Sequence, residues 1–184
     1  MKILKSIICT ALLFFAIGLT AQTNKDQKVI KDADKAKTKL MKMEVGLDQF
    51  FTNSAGYVIF PNVGKGGFII GGASGNGVVY ENGTMIGMAD LKKLSVGLQA
   101  GGQAITEVIF FENEADLAEF KEGDFEFAAE ASAVALKSGV AVNAKYRDGV
   151  AVFALPKAGL MADASVGGQK FSYSPMVETS KEMK

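Results

Sequence analysis

Gly64-Lys65-Gly66-Gly67 is the stretch of this 184-residue chain whose residue types come closest to a chemical motif. Glycine amides can approach and cradle a phosphate, and a lysine among them supplies countercharge. The spacing excludes a nucleotide loop. A Walker pattern needs glycine five positions before its Gly-Lys pair, where Ile59 stands, and Ser or Thr after the lysine, where Gly66 stands. Two readings stay open: a tight turn that glycine permits between strands, or a loop that also meets lipid headgroups. Histidine is absent, which removes imidazole bases, Ser-His triads and histidine metal sites. The one cysteine, Cys9, lies in an N-terminal apolar run. Carboxylates are plentiful but unpaired by motif: Glu107 and Asp163 stand singly in apolar segments, and Glu112, Glu114, Asp116, Glu119 and Glu122 suit a solvated helix face. Glu107 is either an outward strand position or a partly buried carboxylate bonded into the core. No cofactor, metal or catalytic group is expected from these sets.

Around these residues, residues 1–21 have the three-part layout of a secretory signal: Lys2 and Lys5, the apolar run Ile7 to Leu19, then Thr20-Ala21. About 13 apolar residues fall short of the roughly 20 that span a bilayer. Cleavage after Ala21, or after Thr20, is expected, giving an exported protein that is periplasmic, envelope-associated or secreted. Cys9 and both lysines leave with the signal, so 18 basic residues face 20 acidic ones. Such a balance offers no global field for nucleic acid, and a chain without disulfides must rely on its core.

Residues 22–28 read as a polar, flexible start. From there Val29, Ala33, Ala36, Leu40, Met43, Leu47 and Phe50 recur in steps of four and three, the period of one helix face. Gly46 is its weak point, since a glycine inside a helix costs about 1 kcal/mol relative to alanine. The other faces carry Lys28, Lys31, Lys35, Lys37, Lys39 and Lys42 against Asp32, Asp34 and Glu44, a locally basic amphipathic segment. It either packs on a sheet or lies in a membrane interface, with Phe50 and Phe51 as interfacial anchors or as staples to the core. After Asn53 the period becomes two. Residues 57–60, 67–70, 78–80, 84–88, 94–100 and 104–111 read as strands, with turns at Pro61-Asn62, Asn76-Gly77 and Asn82-Gly83. In 94–100 the apolar residues Leu94, Val96, Leu98 and Ala100 alternate with Ser95, Gly97 and Gln99, one buried face against one exposed or closely packed. Asn113 is a helix N-cap and Gly123 the stop. Residues 125–136, 140–146, 150–155 and 160–173 read as further strands, although the alanines of the first also suit a helix. Turns fall at Ser138-Gly139, Asp148-Gly149 and Gly167-Gly168, and residues 175–184 form a polar tail.

Gly56, Phe60-Pro61-Asn62-Val63, Lys65, Gly67-Phe68, Gly71-Gly72, Gly75-x-Gly77-Val78, Ser95 to Gln103, Gly159-Leu160, Ala162 and Ser165 resemble the SYLF domain over roughly residues 54–170. The resemblance implies a β-rich, lipid-binding module, with Lys65 as a headgroup contact and Phe68 as an apolar contact. Eukaryotic relatives meet phosphoinositides and actin. Several basic positions of the usual pattern are replaced here, by Ala55, Ala73 and Leu155-Pro156-Lys157-Ala158, and Gly167 replaces a frequent acidic residue. Only the fold and general lipid binding are therefore carried over, because multivalent headgroups need clustered cations.

The expected architecture is α+β: a strongly curved antiparallel sheet or barrel over residues 54–174, an amphipathic helix within 22–53, and one short inserted helix. The expected partner is membrane lipid, anionic in kind, without nucleic acid. Lys65, Phe68, Lys35, Lys39, Lys42, Phe50 and Phe51 are the candidate lipid-binding residues. Two other roles fit the same composition: a carrier holding an apolar ligand inside the sheet, and a structural envelope protein binding another protein.

Overall fold

A computed structural model describes residues 24–43, 46–123, 126–127, 133–135 and 144–176. Residues 1–21, read as a secretory signal, and most of the stretch read as strands over 125–146 lie outside the described residues. Helix α1 covers 24–43, so residues 24–28 are helical rather than a loose start. Gly46 interrupts the helical pattern as expected: it stands at φ 100°, in the left-handed region, and α2 (Leu47–Asn53) begins after it. Helix α3 (Glu114–Glu122) is held at its start by a capping box, where Asn113 Oδ1 accepts from the amides of Ala115 and Asp116 and Asp116 Oδ2 accepts from the Asn113 amide. Gly123, at φ 82°, closes it.

The strands are far longer than their sequence signals. β1 (Gly56–Glu81) and β2 (Thr84–Phe111) form one continuous antiparallel ladder across the hairpin at Asn82-Gly83. β5 (Val150–Pro175) pairs antiparallel with β2 throughout. β3 (Glu126–Phe127) pairs antiparallel and β4 (Ala133–Ala135) parallel with β5, so the sheet order is β1-β2-β5-β3 with β4 also on β5. Pro61-Asn62 makes a bulge, not a turn, and Asn76-Gly77 and Gly167-Gly168 stay within the ladder. The fold is thus α+β with a strongly curved, mainly antiparallel sheet that is not closed into a barrel.

A straight strand of 26 residues would span about 85 Å at roughly 3.3 Å per residue, much more than a domain of this size. The three long strands instead fold across their middles. β1 reverses at Gly67–Gly71, where a Cβ on Gly67 would lie 2.4 Å from the Gly71 Cα and Ile69 takes φ 70°. A left-handed conformation is rare for a β-branched residue. Opposite it the β1–β2 register jumps from Phe68↔Ala100 to Ile70↔Val96. We call this fold line the crest. Below it the two leaves face each other. Val58, Phe60, Val63, Ile105, Ile109 and Phe111 of one leaf share a core with Ala73, Val79, Ala89, Leu91 and Phe171 of the other, and Leu117 and Phe120 of α3 join that core.

The two halves of β1 also press together along one side. A Cβ on Gly77 would sit 2.6 Å from Phe60 Cδ1 and 2.8 Å from the Ile59 carbonyl oxygen, and the Asn82 amide donates to the Ala55 carbonyl at 3.2 Å. Gly77→Ala is expected to cost about 1–3 kcal/mol by overpacking, read as a lower denaturant midpoint; an unchanged midpoint would refute the close approach. On the outside, Ala33 and Leu40 of α1 and Leu47 of α2 cover Tyr57, Ile59, Val78, Tyr80, Val108, Phe110 and Phe153. The apolar stripe holds at Ala33 and Leu40 and again at Leu47 and Phe50, whereas Met43, expected on the same face, is exposed.

Candidate functional site at the crest

At the crest the usual polarity of the sheet is inverted. Up to Leu91 the inward residues of β2 are apolar, but Lys93 and Ser95 continue that inward face and are buried, while Leu94 and Val96 point outward. The expectation of a buried Leu94/Val96 face is corrected here: the strand keeps its phase while the apolar residues move by one position, which transfers them to the other face. Phe68 and Leu94 are 75% and 76% exposed, and Ile69, Ile70 and Val96 are exposed beside them. They are contiguous, since Ile70 lies opposite Val96 and Leu94 opposite Gly72. The neighbouring glycines add no side chain to shield the patch.

Two residues below Leu94 on the same outer face comes a row of cations. Lys92 is flanked in register by Ser74 on β1 and Lys170 on β5, and both lysines are exposed. The row continues at Glu126 on β3. Like charges directly opposite in a sheet are unfavourable, and Glu126 in register with Lys170 places an acidic residue beside the two lysines. Lys92, Lys170, Ile69 and Ile70 were not singled out from sequence, and Leu94 and Val96 were read only as one face of an alternating strand. The available signal was the break in alternation at Leu91-Lys92-Lys93-Leu94.

Inside the crest, between the leaves, lies a polar cluster. Glu107 on β2 is buried together with Lys93, Ser95 and Gln169. Of the two readings of Glu107, the buried carboxylate is the one found. Burial pushes its carboxyl up to about 7, against the pull of Lys65 and Lys93 and a hydrogen bond from Gln169. Glu107 Oε1 and Gln169 Oε1 lack hydrogen-bond partners among the described residues.

The other sequence candidates divide. Phe68 is on the crest, whereas Lys65 is half-buried and acts on the interior carboxylate. Phe50 packs its ring against Phe110, Tyr146 and Phe153, and Phe51 against Tyr57 and Phe110 at 4.8–5.4 Å between centroids. Of their two readings, these rings take the staple. Lys35, Lys39 and Lys42 line an open groove of about 640 Å³ on α1 with Asp34, Thr38 and Met43. That groove is apart from the crest: α1 approaches Asn62 through Asp32 and Tyr57 through Lys37, so its later residues run toward the opposite end. Lys37 is structural, its Nζ 5.0–5.7 Å from the ring centroids of Phe51, Tyr57 and Tyr80 and donating to Tyr57 Oη at 2.6 Å. Among the described residues no group of three or more acidic or thiol side chains could hold a metal, and no helix is long and apolar enough to cross a membrane.

A curved sheet folded at a glycine-rich crest, backed by an N-terminal helix, is the setting in which the resemblance to SYLF domains can be judged. Residues 92–177, from the lysine row through the whole of β5, match the Ysc84 family, described as Las17-binding protein actin regulator. The chain is also 28% identical over 168 residues to Beta cell expansion factor A of Aeromonas veronii, a match that takes in 89% of this chain and 64% of that protein's length. Both matches are in keeping with the resemblance to SYLF domains, the family match covering just under half of the chain.

Proposed function

We propose that this protein is a non-catalytic, exported membrane-associating module that enters anionic lipid surfaces crest first. The observation that carries this reading is the pairing of an exposed apolar crest with a lysine row behind it. Lys92 precedes Val96 by four residues, about 13 Å along the strand, so a crest sunk to that depth brings Lys92 and Lys170 to the phosphates. Each lysine near such a surface contributes about 1 kcal/mol. An exposed apolar patch rimmed by polar groups marks an interaction surface. The space between the leaves is filled by Phe60, Phe111, Phe120 and Phe171, which favours surface binding over the carriage of an apolar ligand. The actin role belongs to the name of the matched family and is not carried to this chain, and the signal-like residues 1–21 support export.

Flotation with vesicles of phosphatidylglycerol and phosphatidylcholine tests the reading. Binding is expected, and it should weaken as salt rises from 0.1 M to 1 M, where the Debye length falls from about 10 Å to about 3 Å. Changing Lys35, Lys39 and Lys42 to Gln should lower binding by no more than about fivefold and leave the melting temperature within a few degrees, because these exposed side chains lie away from the crest. No flotation on any vesicle would defeat the proposal, and loss of flotation in the triple variant would move the site to α1.

A further inference from the structure

Glu107 and Gln169 form an unusual pair. Gln169 donates to the Glu107 carboxylate, yet one oxygen of each, Glu107 Oε1 and Gln169 Oε1, has no partner among the described residues. An ionised carboxylate only accepts hydrogen bonds, and so does an amide oxygen. Neither can satisfy the other. A single proton on Glu107 changes this, because the acid O–H is the donor that the amide oxygen lacks; the two side chains then have complementary donor and acceptor groups. The pair is buried between the leaves beneath the crest; among the described residues the charged groups acting on it are Lys65 from β1 and Lys93 from the far half of β2, with Gln169 itself from β5 and Ser95 buried in the same layer. While Glu107 is ionised it offsets one of the two ammonium groups. Once it is protonated, the crest carries one more net positive charge and its interior polar layer is better bonded.

We propose that Glu107, paired with Gln169 between Lys65 and Lys93, is a proton-operated control of the crest that strengthens its hold on anionic membranes when the proton is bound. This rests on the reading of the crest as the membrane-binding surface. Burial holds the carboxyl at about 7, so the control operates near neutrality. The chain has no histidine, and ordinary carboxyls and lysines do not titrate there. One added charge near the surface corresponds to about fivefold in binding.

The test is flotation of the full chain with phosphatidylglycerol and phosphatidylcholine vesicles at 0.1 M salt from pH 5.5 to 8.5. Wild type is expected to bind about fivefold more tightly at the acid end, with a midpoint near pH 7. Glu107→Gln, neutral at every pH, should bind throughout as wild type does at the acid end. Lys65→Gln removes a cation that favours the ionised form and should move the midpoint upward, which keeps the proposal open to test if Glu107→Gln does not fold. Wild-type binding that stays level across the range would overturn the control and leave crest binding standing. Absence of binding at every pH, for wild type and Glu107→Gln alike, would remove both.

Discussion

Ile70→Asp combined with Leu94→Asp is expected to abolish vesicle flotation while leaving the protein folded. Both side chains are mostly exposed, at 67% and 76%, so their replacement leaves no cavity. Burying each in lipid instead of water is worth about 2 kcal/mol, or about 4 kcal/mol together. That is roughly a thousandfold in affinity at 1.4 kcal/mol per tenfold, before the repulsion between two new carboxylates and an anionic surface is counted. The melting temperature should stay within a few degrees of wild type. A double variant that floats as well as wild type would eliminate the crest as the binding surface. Sedimentation of the same two proteins separates a second occupant: a crest covered by another copy of the chain would give a wild-type dimer and a monomeric variant, in the absence of lipid.

The crest was hidden in sequence by the residues that build it. The helical stripe from Val29 to Leu40, the Asn113 cap and the Asn82-Gly83 hairpin were legible because each is decided locally, by periodicity or by a side chain bonding to neighbouring backbone. Pro61-Asn62 and Asn76-Gly77 carry equally good local turn signals, yet the β1–β2 ladder pairs Asn76-Gly77 directly and resumes at Val63 after a bulge at Pro61-Asn62. At Asn76-Gly77 pairing with the partner strand outweighs intrinsic turn preference. The true reversal uses Gly67, where the close approach of Gly71 leaves no room for a Cβ, and Ile69, whose left-handed backbone no propensity would suggest. The Leu94/Val96 face failed for another reason. Alternation identifies two faces but does not say which is inside, and ordinarily the apolar one is. Here the leaves meet tightly enough behind the crest to enclose Lys93, Ser95, Glu107 and Gln169, so the outer face is left to the apolar residues. Likewise Phe50 and Phe51 had two readings, and only the positions of Phe110 and Phe153 select between them.

The interior polar layer has a consequence for stability that is independent of any membrane. In the folded chain the Glu107 carboxyl is held at about 7, against an ordinary value of 4.5. Between those values the native state keeps a proton that the unfolded chain has released, so stability must fall as pH rises. The contribution is complete below about 4.5, is lost progressively up to about 7, and stays lost above it. A difference of this size corresponds to about 3 kcal/mol, which for a chain of this length lowers the melting temperature by roughly 6–12 °C. Between pH 5 and pH 8 few other groups oppose the trend, because histidine is absent and the remaining carboxyls are largely ionised at pH 5. Thermal melts of wild type should therefore decline over that interval, while those of Glu107→Gln should be nearly level. The two proteins should melt alike near pH 5, and the variant should be the more stable at pH 8, an unusual gain from removing a charge that stands beside two lysines. It follows from the order of the effects: the cost of taking the carboxylate out of water exceeds what Lys65, Lys93 and Gln169 return. A wild-type melting temperature that rises from pH 5 to pH 8, or a variant less stable than wild type at pH 8, would mean that those partners more than offset the burial and that Glu107 is an ordinary ionised carboxylate at neutrality.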